Sequence, residues 1–144
     1  MKNEMNILIK DIPREGILRL TMDDQKSGNA LSEEMMSMLI KAIEKASIDD
    51  SVKVIILAAE GSIFSSGHNL KQITDAREQS EDGEPYFKQL FDQCSSLMQL
   101  LVNCPKPVIA QISGIATAAG CQLVATCDLA YASSSAKFAT PGVN

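Results

Sequence analysis

Val108-Ile109-Ala110-Gln111-Ile112-Ser113-Gly114-Ile115-Ala116-Thr117-Ala118-Ala119-Gly120-Cys121-Gln122 begins as an apolar run of strand length. It then passes through small residues and enters a segment that predicts a helix from about Thr117–Ala119 to about Cys127. No charge occurs from Val108 to Cys127, a run of 20 residues and long enough to span a bilayer. Its polar and small residues, Gln111, Ser113, Gly114, Thr117, Gly120, Gln122 and Thr126, carry little hydrophobic transfer energy, and no aromatic belt flanks it. A buried strand–loop–helix unit therefore explains the run better than a membrane span.

The same arrangement occurs upstream. Val52–Leu57 reads as a buried strand, and the loop Ala58–Gly67 leads into His68, Asn69 and Leu70. Before it, Asn6–Lys10 and Ile17–Met22 read as strands around turn chemistry at 12–16, and Asp23–Ala30 reads as a polar loop. Ser32 has the chemistry of an N-cap, with Glu33 and Glu34 in the first turn, where the helix dipole favours anions. Met35, Leu39, Ala42 and Ala46 then mark one helical face that should fade near Ile48.

Residues 74–84 are rich in Asp, Glu, Ser and Gln and are expected to form a flexible acidic loop. Pro85 suits the first turn of the next helix, whose apolar stripe of Phe87, Leu90, Phe91, Cys94, Leu97, Met98 and Leu101 reads as core. Leu129–Ala132 reads as a strand, with a short extended piece near Phe138. From Pro107 onward the only charges are Asp128 and Lys137, so this stretch should be buried or line a site. Alternating strands and helices argue for an α/β layered fold in a single domain over 1–144.

Composition narrows the function classes. The chain has 144 residues, 45% of them hydrophobic, and a formal net charge of -5, so it has a core to pack and no general field for nucleic acid or an anionic membrane. Cys94, Cys104, Cys121 and Cys127 contain no C-x-x-C pair, and the single histidine, His68, lies far from them in sequence. A metal site is thus not expected, and the cysteines read as reduced thiols. The N-terminal residues lack the features of a signal or transit peptide, making a cytoplasmic location the default.

Chemistry could reside where each buried strand releases a loop of small residues. Small side chains let a ligand approach the backbone, and free N–H groups at a helix start favour negative charge. Two facing loops could offer two donors to one developing oxyanion. Close packing alone would use the same residues.

At these loops the chain resembles the enoyl-CoA hydratase/isomerase, or crotonase, family. The resemblance lies in 59–70 (Ala-Glu-Gly-Ser-Ile-Phe-Ser-Ser-Gly-His-Asn-Leu), 106–114 (Lys-Pro-Val-Ile-Ala-Gln-Ile-Ser-Gly), Ala118-Ala119-Gly120-Cys121-Gln122-Leu123 and Cys127-Asp128-Leu129-Ala130. It implies a crotonase-like spiral of β-β-α units, of which this chain would be the N-terminal part only, with apolar surface left exposed. It further implies an acyl-CoA thioester as ligand, with coenzyme A part of the substrate and no separate cofactor. A full-length form would be a trimer or hexamer. If a presequence is missing from this chain, the location would be the mitochondrial matrix.

By the same resemblance, the oxyanion donors would be the N–H groups of Ser66 and Ala119. Ser65, Ser66, Gly67, His68, Asn69, Lys71 and Gly120 would contact substrate, Lys71 near a phosphate unless it is simply solvated. The family's two catalytic glutamates fall at Gln122 and Gly142. Gln122 cannot take a proton and Gly142 has no side chain, so hydratase activity is expected to be weak or absent. A lyase or isomerase with altered chemistry and a non-catalytic acyl-CoA-binding or regulatory protein both remain open. Asp128 is expected to serve the fold. His68 could be catalytic or merely lie near the coenzyme.

Overall fold

The computed structural model describes residues 6–79 and 84–141. Its strands are β1 (Leu8–Arg14), β2 (Ile17–Met22), β3 (Val54–Ala59), β4 (Ile63–Ser65), β5 (Val108–Ile112), β6 (Ile115–Thr117), β7 (Leu129–Ala132) and β8 (Lys137–Ala139). Its α-helices are α1 (Glu33–Ile48), α2 (Leu70–Gln79), α3 (Glu84–Val102) and α4 (Ala119–Thr126).

Five strands form one sheet in the order β1-β2-β3-β5-β7, with β1 antiparallel to β2 and the remaining pairs parallel. The smaller sheet, β4-β6-β8, is wholly parallel. Each turn of the chain thus contributes a strand to the large sheet and then one to the small sheet; after β4 and β6 it enters a helix. This is the β-β-α spiral expected from the resemblance.

One face of the large sheet carries Leu20, Ile55, Leu57, Val108, Ala110 and Ile112, all at most 1% exposed. Met35, Met36, Leu39 and Ile43 of α1 and Leu90, Leu97 and Leu101 of α3 share that core. Burying a side chain of this size contributes about 1.5–3 kcal/mol. Ser32 caps α1 by accepting the Met35 N–H at 3.1 Å, worth about 1 kcal/mol. Asp128 accepts the Val108 N–H at 2.8 Å, and its own N–H donates to the Val108 carbonyl. Its carboxylate therefore fastens the start of β5, a structural role.

Several sequence expectations require correction. The first strand starts later and runs on to Arg14, and the strand expected over Val52–Leu57 is Val54–Ala59. The two small-residue loops each contain a three-residue strand, β4 and β6. Residues 74–79 are helical and belong to α2, where a loop was expected, because Asn69 caps a solvated helix; residues 80–83 lie outside the described residues. Phe91 is 54% exposed and does not join the core stripe. The sparsely charged stretch from Pro107 onward is divided: β5 and α4 carry core residues, whereas every residue of β7 and β8, each at the edge of its sheet, is exposed. No helix among the described residues is long and apolar enough to cross a membrane.

Candidate functional site

The small sheet brings the two loops together. Ile63 pairs with Ile115, and Ser65 pairs with Ala116, so β4 and β6 deliver their chain ends side by side. Beyond them the backbones touch. A Cβ on Gly120 would lie 2.4 Å from the Ser65 carbonyl oxygen. Gly67 has φ +90°, and a Cβ there would lie 3.0 Å from the Ala118 Cβ and 3.1 Å from the Ala119 nitrogen. Only glycine permits such an approach at these positions.

Polar pins hold the first loop. Buried Asn29 donates from Nδ2 to the carbonyls of Glu60 (3.0 Å) and Ile63 (2.7 Å), while its Oδ1 accepts the Asp24 N–H at 2.7 Å. The Ser66 N–H donates to the Gly28 carbonyl at 3.0 Å, and its hydroxyl donates to the Ser27 carbonyl at 3.1 Å. The Ser66 amide is consequently spent within the fold and is not the free donor expected from the sequence. Ser65 is wholly buried, and its Oγ accepts the Gly67 N–H at 3.3 Å, so its side chain does not face a ligand. The Gly67 carbonyl accepts from Leu31 N–H. Asn69 uses Oδ1 to accept the N–H groups of Lys71 and Gln72.

The second loop is held differently. Ala118 has φ 51° and ψ -126°, an uncommon conformation for a residue with a Cβ. Its N–H donates to the Ala139 carbonyl, and its own carbonyl accepts from Cys121 and Gln122. The twist lies immediately before Ala119, the first residue of α4, whose N–H is one of the helix's unsatisfied donors. Among the described residues, neither the Ala119 nor the His68 N–H has an acceptor.

A cavity of about 430 Å³ adjoins the first loop, lined in part by Asp24, Lys26, Ser66, His68, Asn69 and Lys71. The His68 ring is edge-on to Phe91, with centroids 5.4 Å apart at 86°. Burial lowers its pKa, and Nδ1 is buried without a partner. Gln122 is exposed on α4, Gly120 is buried beneath Ser65, and Gly142 lies outside the described residues. Cys127 is pushed up to about 12 by burial and then by Asp128, which keeps it a thiol. Sequence reading missed Asn29 and Phe91. An asparagine just ahead of the Ser32 cap was the available signal for the first; the second was hidden within a helical stripe.

This spiral and its paired loops define the class of protein. The enoyl-CoA hydratase/isomerase family model matches residues 13–144, and the chain belongs to that family. Among individual relatives, the mitochondrial enoyl-CoA hydratase domain-containing protein 3 of Xenopus laevis is 49% identical over 129 residues, covering 90% of this chain and 42% of the relative. Mitochondrial methylglutaconyl-CoA hydratase of Mus musculus is 32% identical over 140 residues, covering 95% and 43%. Thus the chain spans less than half the length of these curated relatives. The solved enoyl-CoA hydratase of Mycobacterium smegmatis superposes with a TM-score of 0.87 at 42% identity, covering 96% of this chain and 52% of that one. Human enoyl-CoA hydratase domain-containing protein 3 gives 0.85 at 42% identity, with the same coverage.

Proposed function

We propose that the chain binds an acyl-CoA thioester where the two loops meet and polarises its carbonyl with the N–H groups of Ala119 and His68. The observation carrying this reading is the pair of unpartnered amides on abutting loops, one of them behind a strained residue. The donor on the first loop is His68 and not Ser66, because the Ser66 amide already has an acceptor. Family membership supplies the ligand class. The cavity beside Lys26 and Lys71 supplies room and positive charge for the carrier.

Each oxyanion donor stabilises the developing charge by about 3–4 kcal/mol. General acid–base catalysis would add roughly 10²–10⁴-fold. Gln122 can orient a water but cannot deprotonate it, so enolate stabilisation outlasts efficient hydration here. Isomerisation, decarboxylation or thioester hydrolysis would reuse the same donors with another proton carrier. Acyl-CoA binding without turnover is the second reading, favoured by the amide at Gln122. Trimer or hexamer assembly and residence in the mitochondrion belong to the same proposal, the latter on the names of the relatives.

Calorimetry with crotonyl-CoA, run beside a hydration assay, tests the reading. Binding is expected, with hydration rising at least about 10²-fold in the double variant Gln122→Glu, Gly142→Glu. Absence of thioester binding would refute it. Binding without turnover in the parent chain would select the second reading.

A further inference from the structure

If the His68 N–H holds the thioester oxygen, its side chain leaves the same residue and lies within one side-chain length of the first acyl carbons; the inference below rests on that reading. The ring is set against Phe91 of α3, a large apolar side chain that is 54% exposed and outside the core. Together the loop and helix present an aromatic wall with one polar edge. The histidine's polar groups are not consumed by the fold: Nδ1 is buried and unpartnered. A proton on Nδ1 would bury an N–H without an acceptor, so the setting favours the tautomer protonated on Nε2. Burial also disfavours the doubly protonated ring. Gln122 and Lys71 are exposed, whereas His68 is half-buried within this wall.

We infer that His68 is a specificity-determining residue whose imidazole donates from Nε2 to an oxygen carried on the acyl chain, so that the site prefers oxygen-bearing acyl thioesters over plain saturated ones. A polar group placed to meet a substrate oxygen discriminates against an analogue lacking it, whereas an apolar wall does not.

The test compares dissociation constants of acetoacetyl-CoA, butyryl-CoA and free CoA for the whole chain and for His68→Phe and His68→Gln. The ratio of the two thioester constants is the readout, because it cancels changes common to both. In His68→Phe the preference for acetoacetyl-CoA is expected to fall about tenfold, with partial retention in His68→Gln, which keeps a donor. A ratio unchanged within about twofold overturns the inference. So does an equal weakening of both thioesters and of free CoA, which would set the ring against the carrier. Binding of neither thioester by the parent chain refutes the thioester reading itself; binding with an unaltered ratio refutes only the role of His68.

Discussion

The loops 65–69 and 118–120 each expose an unpartnered amide, and they do so by opposite means. The first is pinned by hydrogen bonds: Asn29 ties Asp24 to the carbonyls of Glu60 and Ile63, and Ser66 is fastened at two atoms to residues 27 and 28. The second is held by backbone hydrogen bonds of Ala118 and by steric fit, with Gly120 against Ser65 and a strained Ala118. A pinned loop should lose stability in increments as bonds are removed. A fitted loop should fail abruptly when one atom is added.

Gly120→Ala should have the largest effect. Its new Cβ meets backbone at 2.4 Å, which no side-chain rotation relieves, so a loss of about 3 kcal/mol or more is expected by chemical denaturation. If the variant is destabilised by less than Asn29→Ala, the contrast between the loops is wrong. Asn29→Ala removes three hydrogen bonds at a site 1% exposed and should cost about 2–3 kcal/mol. Ser66→Ala deletes only the hydroxyl bond, leaving the amide bond to Gly28. Its cost should be about 1 kcal/mol or less, with thioester affinity nearly unchanged in the same preparation. A large loss of affinity would give the Ser66 hydroxyl a ligand-binding role beyond lining the cavity.

The smallest effect is a pH dependence confined to the first loop. Burial holds the folded pKa of His68 below its ordinary 6.5. As pH falls through 6.5 the unfolded chain takes the proton first, so stability declines on acidification and returns as pH rises. His68→Phe should flatten this part of the profile, read as the change in Tm between about pH 7.5 and about pH 5.5. Asp11, lowered first by its hydrogen bond with Arg19, and Asp49, lowered first by Ser51, act in the more acidic carboxylate range and do not mimic it.

The large features were legible because they repeat. The period of Met35, Leu39, Ala42 and Ala46 and the stripe through Leu90, Leu97 and Leu101 announce helices, and Ser32 announces where one begins. Strands β4 and β6 have three residues each, too few to display a period, so the loops were expected to start at the large sheet. Polar, largely solvated α2 has only Leu70, Ile73 and Ala76 at helical spacing, too few apolar residues to announce it. The candidate site was legible as two loops of small residues but not as particular atoms. Which amide is free depends on which carbonyl folds against it, and the Gly28 carbonyl that occupies Ser66 belongs to a distant turn.

Because β3, β5 and β7 climb one sheet while β4, β6 and β8 climb the other in the same order, the two staircases share a single clock. Slippage by one residue moves a strand about 3.3 Å, more than a hydrogen bond tolerates, and the adjoining staircase must answer it. The gap between the opposed amides is thus inherited from ladder rungs remote from either of them. Trimming the loops would redecorate the gap; changing its width would require resetting both ladders together.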